Sequence, residues 1–95
     1  MNNNLMKLKT PYELSQEIAA HAKARRKGLK LTQKQLAERS GVSLGSLKRF
    51  EQTGEISLSS LLKIAMVLDC LGDFDRLFVK KEYSSIEEVI HERNQ

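Results

Sequence analysis

Residues 33–50 hold residue types at a spacing that suits a helix placed to enter a groove of another molecule. Ala37 is small enough for two helices to cross closely, Gly41 follows in a turn, and Leu47 follows as an apolar anchor. Gly41 can adopt a positive φ that strains other residues, and Leu47 can hold the next helix from beneath. The spacing predicts two short helices joined by a tight turn, with the outer face of the second helix turned away from the core.

The start of this second helix carries side chains that can meet the edges of DNA bases. A major groove about 12 Å wide admits a helix, whose N-terminal residues then contact bases. Arg49 can hold the O6 and N7 atoms of guanine with two hydrogen bonds, and a phosphate contact or a solvated charge is its alternative. Ser43 suits an N-cap, although its hydroxyl could also hold a phosphate, and Ser46 is the better base or phosphate candidate. The candidate residues are Ser43, Leu44, Gly45, Ser46, Lys48 and Arg49.

Leu44 and Gly45 are the apolar members of this set. Leu44 could meet a thymine methyl group, and Gly45 could let the helix sit deep in the groove. A glycine costs a helix about 1 kcal/mol relative to alanine, so its presence needs a reason. Sequence reading would then rest on Lys48, Arg49 and DNA shape.

Capping signals mark the helices that must position these residues. Thr10 as N-cap, Pro11 at the first helical position and Glu13 as the third residue of a capping box start a first helix. Gly28 is expected to end it as a left-handed C-cap. Thr32, Ser43 and Ser57 cap three further helices, and a short fifth helix follows. The five helices are predicted over residues 11–27, 33–39, 44–52, from 58 to about 68, and about 73–78.

The fourth helix has an apolar face broad enough to form the main element of the core. Cys70, the single cysteine, lies in the apolar run after it and suits a small core residue better than a reactive thiol. With only 5 Gly and 1 Pro in 95 residues, the chain favours a single all-α domain. The predicted core residues of this helix are Leu58, Leu61, Leu62, Ile64, Ala65, Met66 and Leu68.

Charge is distributed unevenly between the two halves of the chain. Residues 1–50 carry eleven Lys and Arg against three Glu, a net charge of +8, whereas residues 51–95 carry five against nine Asp and Glu, a net charge of −4. Such asymmetry is typical of a polyanion-binding face, with a merely solvated charge pattern as the alternative. The expected phosphate contacts are Lys23, Arg25, Lys27, Lys30 and Lys34.

Two function classes are not expected. His21 and His91 are the only histidines, neither lies in a cluster with metal-ligand spacing, and no nucleophile and base pattern occurs, so we expect neither an enzyme nor a bound cofactor or metal. No leader and no run of about 18 apolar residues is present, so we expect no membrane association and a cytoplasmic protein.

Several segments together resemble the Cro/lambda-repressor (Xre) helix-turn-helix family over roughly residues 12–78. They are Leu31–Ala37, Gly41-Val42-Ser43, Phe50-Glu51 and Ser57–Ala65. The resemblance implies a compact five-helix lambda-repressor-like domain that represses transcription by binding operator DNA as a two-fold homodimer. It also implies that Gln33 contacts DNA and that Arg26 and Glu51 form a partly buried structural ion pair. The DNA-binding residues expected from pattern and resemblance are Thr32, Gln33, Lys34, Ser43, Leu44, Gly45, Ser46, Lys48 and Arg49.

The chain is expected to have three parts. Residues 1–9 form an N-terminal arm, either extended or a short strand, residues 10–79 form the helix-turn-helix domain, and residues 80–95 form a C-terminal extension. Ser84-Ser-Ile-Glu87 repeats the capping-box pattern and predicts a short amphipathic helix that must dock on another surface. The expected dimer or partner surface comprises Phe74, Leu77, Phe78, Val79, Ile86, Val89 and Ile90.

The layout supports a finer resemblance. The arm, the Thr-Pro-x-Glu-Leu opening of the first helix and the appended C-terminal segment are similar to HipB-type antitoxins, which accompany HipA-like kinase toxins. This resemblance implies a repressor of its own expression with a toxin partner. A stand-alone phage or operon repressor and a protein-interaction adaptor on a helix-turn-helix scaffold remain the alternatives.

Overall fold

Residues 8–79, the part of the chain that the computed structural model describes, form four α-helices and one 3-10 helix. The α-helices are α1 (Pro11–Gly28), α2 (Gln33–Ser40), α3 (Leu44–Thr53) and α4 (Leu58–Val67), and the 3-10 helix spans Leu71–Phe74. Within this range no strand occurs, which agrees with the all-α prediction. Among the described helices, none combines the length and the apolar composition of a membrane span. Most of the predicted arm and the whole predicted extension, with Ile86, Val89 and Ile90, lie outside the described residues.

Each α-helix begins where the sequence predicts, because a hydroxyl side chain satisfies one of its first backbone N–H groups. The Thr10 hydroxyl accepts from the Glu13 N–H at 3.0 Å, and the Glu13 carboxylate accepts from the Thr10 N–H at 2.9 Å, which confirms the capping box. Thr32 forms the same box with Gln35 at the start of α2. The hydroxyls that cap α3 and α4 belong to Ser43 and Ser57.

The end of α1 differs from the prediction. Gly28 is the last residue of the helix, and Lys30 takes the left-handed conformation, with φ 60°, that was expected of the glycine. Leu31 is buried in the core, and its carbonyl accepts from Arg26 at 2.8 Å. These two contacts of Leu31 fix where the chain turns, and they outweigh the intrinsic preference of glycine for positive φ.

The fifth helix also differs from the prediction. Instead of the short helix expected over about residues 73–78, the described chain has a 3-10 helix of four residues that begins at Leu71, so the five-helix expectation becomes four α-helices and this 3-10 helix. Asp69 and Phe78 both adopt a positive φ and bracket the segment. The stretch between them contains Gly72, a weak helix former, and its backbone hydrogen bonds join residues three apart, from the Asp73 N–H to the Cys70 carbonyl at 3.0 Å and from the Asp75 N–H to the Gly72 carbonyl at 3.2 Å.

The core lies between all four α-helices. Its most completely buried side chains are Leu36 from α2, Leu47 and Phe50 from α3, and Ile64 from α4. Ala19 joins them from the middle of α1. Two predicted core residues of α4 are instead on the surface, because Leu58 and Met66 lie on the outer side of that helix and are mostly exposed. The buried side of α3 packs on α1 and α2, α4 packs on α2, and the opposite side of α3 faces solvent.

Candidate nucleic-acid interface

The turn between α2 and α3 has the predicted geometry. Gly41 has φ 77° and its N–H donates to the Ala37 carbonyl at 2.9 Å. Nothing lies within 4 Å of a Cβ built on Gly41, so the glycine is needed for its backbone conformation and not for space. Ala37 and Leu47 are both buried, as expected. The roles predicted for these three residues are confirmed.

The outer side of α3 carries a row of exposed residues that we call the α3 stripe: Gly45, Lys48, Arg49 and Gln52. Their spacing of three, four and seven positions places them on one face of the helix. Three of the four belong to the DNA-binding set expected from the sequence. Gln52 does not, although its spacing from Gly45 is a signal that would have identified it.

In the first turn of α3 and at its N-cap, two of the expected DNA-binding side chains have structural roles. The Ser43 hydroxyl accepts from the Ser46 N–H at 3.1 Å and donates to the Ser46 hydroxyl oxygen at 2.9 Å, which confirms the N-cap interpretation of Ser43. Ser46 is exposed and can still donate its own hydroxyl proton. Leu44 is half-buried and packs against the core. Leu44 therefore has a packing role, and its expected thymine contact stays a prediction.

Arg49 has a partner that the sequence did not indicate. Its Nε donates to Oε1 of Glu55 at 3.2 Å, and its Nη2 donates to the same oxygen. Hydrogen bonding to Glu55 and the charge of Glu55 raise the pKa of Arg49 further above its ordinary value, so the guanidinium stays charged. Glu55 lies beyond the end of α3, where no helical periodicity relates it to Arg49.

The start of α2 is joined to α3 by the side chain of Gln33. Lys34 is exposed, and the Thr32 hydroxyl is engaged as the N-cap, accepting from the Gln35 N–H at 3.0 Å. Gln33 is half-buried, and its Nε2 donates to Oε1 of Glu51 at 2.9 Å. This hydrogen bond sets the orientation of the Gln33 amide relative to α3.

Glu51 also pairs with Arg26, and the structure brings these two predicted partners together in the interior. Arg26 Nε lies 2.8 Å from Glu51 Oε2 and Nη2 lies 3.1 Å from Oε1. The two side chains are only 8% and 3% exposed. Burial alone would raise the pKa of Glu51, but hydrogen bonds from Arg26 and Gln33 and the charges of Arg26 and Lys23 outweigh it and hold the pKa below its ordinary value. A carboxylate thus stays ionised behind the α3 stripe.

One of the expected phosphate contacts has another role. Arg25 Nε donates to the Leu68 carbonyl at 2.9 Å, so this exposed side chain caps the end of α4. Its expected phosphate contact stays a prediction. Lys23, Lys27, Lys30 and Lys34 are exposed.

The described part of the expected dimer or partner surface follows α4 in the chain. Phe74 is half-buried and, with Leu77, lines an apolar groove of about 310 Å³ between α1 and α4. Leu77, Phe78 and Val79 are exposed. Apolar side chains of α4, namely Leu58 and Met66, add to the exposed apolar area of the protein.

A comparison with protein families finds a matching family model. The family model described as helix-turn-helix matches residues 23–73, which include the end of α1, all of α2, α3 and α4, and most of the 3-10 helix. A search of curated proteins found no match. The family match covers more than half of the 95 residues. The chain therefore belongs to the Xre-like helix-turn-helix family of DNA-binding transcription regulators.

Proposed function

We propose that this protein is a sequence-specific transcriptional repressor that places α3 in the major groove of operator DNA. The α3 stripe is the observation that carries the proposal. Its residues are exposed on one face of a helix whose other face, including Leu47 and Phe50, is fully buried. A helix held in this way presents base-reading side chains without having to move. Lys34 and Thr32 at the start of α2 flank the DNA strand beside it.

The repressor is proposed to act as a two-fold homodimer. Exposed apolar side chains at Leu77, Phe78 and Val79, together with Met66 on α4, support this part of the proposal because an isolated chain would leave them in water. An isologous dimer is the commonest assembly of such proteins, and it places two α3 helices in half-sites roughly 34 Å apart.

We extend the proposal to control of the protein's own expression, with the protein acting as the antitoxin of a HipA-like kinase toxin. The similarity in layout to HipB-type antitoxins supports this identity. The second candidate is a protein-interaction adaptor, and the apolar groove between α1 and α4 is the observation that favours it. A stand-alone phage or operon repressor would use the same α3 stripe and differ only in its target and partners.

A titration of the full chain against two duplexes tests the proposal. One duplex carries the DNA directly upstream of the gene and the other a scrambled sequence, both at near-physiological salt. We expect binding to the upstream DNA to be tighter by about a thousandfold or more, with two chains per operator. Weak and equal binding to both duplexes would contradict the repressor proposal and favour the adaptor.

Replacing Arg49 by alanine should weaken operator binding selectively. Loss of a bidentate guanine contact costs roughly 1–3 kcal/mol at the operator and much less on random duplex. Lys34→Ala is the matched control, because loss of a phosphate contact weakens binding to both duplexes about equally and lowers the salt slope by about 1. If Arg49→Ala lost the same affinity for both duplexes, Arg49 would contact a phosphate and not a base.

Gly45→Ala should stabilise the fold and weaken operator binding. Nothing lies within 4 Å of a Cβ built on Gly45, so alanine fits, and its helix propensity adds up to about 1 kcal/mol. The added methyl group would stand on the α3 stripe, where we expect it to lower operator affinity severalfold by keeping the helix from the groove floor.

Urea unfolding and the two-duplex titration measure both effects of Gly45→Ala. Gly28→Ala is the control, since Gly28 is also helical, exposed and without a neighbour within 4 Å, but lies at the end of α1. It should raise stability and leave DNA binding unchanged. Unchanged operator affinity in Gly45→Ala would show that the glycine does not serve a close approach to DNA.

A further inference from the structure

The ion pair between Arg49 and Glu55 is unusual because it lies on the proposed DNA-binding face, and not because of its contribution to folding. Both side chains are about two-thirds exposed, at 67% and 64%. Exposed ion pairs contribute little to folding because solvent screens them and both side chains lose freedom. The pair nevertheless engages the arginine that the α3 stripe offers to a guanine. Its consequence is therefore expected in DNA binding and not in stability.

The backbone after α3 places the Glu55 carboxylate beside Arg49. The Thr53 hydroxyl donates to the Arg49 carbonyl at 2.7 Å and accepts from the Glu55 N–H at 3.2 Å. Gly54 turns the chain with φ 81°, and its N–H donates to the Phe50 carbonyl at 2.8 Å. The residue that carries the carboxylate is thus tied to the last turn of the recognition helix.

The contact leaves the base-reading edge of Arg49 available. Glu55 accepts from Nε and Nη2, which form the side-on edge of the guanidinium. The end-on edge, formed by Nη1 and Nη2, retains N–H groups that can face O6 and N7 of guanine. An arginine already held in one orientation loses less conformational freedom when it binds its base, so the pair favours that one contact.

The Glu55 carboxylate also disfavours contacts between Arg49 and DNA phosphates. On random duplex, Arg49 gains most by turning toward a phosphate, and that movement would leave the charge of Glu55 uncompensated near a polyanion. Ser46, Arg49 and Glu55 line one shallow depression at the end of α3, so Glu55 lies inside the proposed DNA face. A repulsive group in that place acts against non-cognate DNA more than against the operator.

We propose that Glu55 determines the DNA specificity of this protein by holding Arg49 for a base contact and by penalising its contacts with phosphates. The proposal rests on the repressor function proposed above. Glu55 is a positioning residue, since it acts on DNA through Arg49 and through its own charge.

Glu55→Gln tests the proposal, because the amide keeps the shape of the side chain and removes its charge. Random-duplex affinity should rise by about threefold to tenfold, while operator affinity changes by less than about threefold, so the specificity ratio falls. Glu17→Gln is the matched control, since Glu17 on α1 forms an exposed ion pair with Lys9 and not with Arg49. It makes the same change in net charge and should leave the ratio unchanged. Thermal unfolding of both variants should match that of the wild type.

A measurement without DNA separates the pair from the proposed function. The ¹⁵N relaxation of Arg49 Nε should report an ordered side chain in the wild type and a mobile one in Glu55→Gln. A mobile Arg49 in the wild type would overturn the proposal, whatever the protein binds. An operator preference that survives Glu55→Gln undiminished would overturn this proposal alone. A wild-type protein with no operator preference would overturn the repressor function, and this proposal with it.

Discussion

Arg26→Met is expected to lower the free energy of unfolding by about 3–5 kcal/mol, because it leaves the buried Glu51 carboxylate without its cation. Arg26 joins three parts of the fold: it lies in the last turn of α1, its Nη1 donates to the Leu31 carbonyl at 2.8 Å, and its other nitrogens bind Glu51 on α3. Such a loss is a large part of the stability of a small domain. A considerable fraction of the variant should be unfolded on mild heating.

Urea unfolding at neutral pH measures this effect, and Arg25→Met is the matched control. Arg25 is the preceding residue and also donates to a backbone carbonyl, that of Leu68, but it has no buried carboxylate partner among the described residues. Losing its single hydrogen bond should cost on the order of 1 kcal/mol. Equal losses for the two variants would show that the pair between Arg26 and Glu51 contributes no more than an ordinary hydrogen bond.

The same pair predicts a dependence of stability on pH. Since the folded-state pKa of Glu51 lies below its ordinary value of 4.5, its contribution is fully present above that value. The contribution is lost as the pH falls through the lower folded-state pKa. Urea midpoints measured between about pH 7 and pH 3 should therefore fall less steeply in Glu51→Gln than in the wild type, although the variant is less stable at pH 7. If the urea midpoints of both proteins fell equally steeply with pH, Glu51 would not contribute to the loss of stability in acid.

The ion pair between Arg26 and Glu51 also contacts the proposed DNA-binding face, through Gln33. Glu51 Oε1 accepts from both Arg26 and Gln33, so the carboxylate that closes the core also orients the first residue of α2. Variants that disturb Glu51 should therefore weaken DNA binding as well as folding, and DNA-binding data on them are best taken where the protein is fully folded.

The helix starts were accessible from the sequence because each depends on atoms within four residues. The hydroxyls of Thr10 and Thr32 bond the backbone three residues onward, and that geometry belongs to the local chain. Gly41 was predictable for a similar reason, since a positive φ between two short helices has few other occupants. Local hydrogen bonds and backbone preferences were thus enough to predict the helix starts and the turn that position α3.

The contacts of the long charged side chains were not accessible in this way. Whether Arg25 faces DNA or the end of α4 depends on where α4 packs, and the partner of Arg49 depends on the turn after α3. Lys30 takes the left-handed position expected of Gly28 because the tertiary contacts of Leu31 decide the turn. Charge spacing predicted a set of basic residues for phosphate contacts, and Lys23, Lys27, Lys30 and Lys34 are exposed, but it did not indicate the individual contacts of each.

Gly54→Ala is the second variant expected to have a large effect. Gly54 has φ 81°, and a Cβ at this position would lie 2.9 Å from the Ser15 carbonyl oxygen. The left-handed conformation costs alanine roughly 1–2 kcal/mol, and the clash with a helix backbone adds roughly 1–3 kcal/mol. The Ser15 carbonyl belongs to α1 and cannot rotate away as a side chain would. We therefore expect a total loss of about 2–5 kcal/mol in urea unfolding.

Gly41→Ala separates the two causes, because Gly41 shares the positive φ, at 77°, but has nothing within 4 Å of its Cβ. It should lose only the roughly 1–2 kcal/mol that the backbone conformation costs. The difference between the variants then measures the close approach of α1 to the end of α3. Equal losses would mean that α1 yields to the methyl group at no cost. A larger loss at Gly54 would show that α1 braces the turn carrying Glu55, and such a variant, where it still folds, should also lose part of its preference for operator over random DNA.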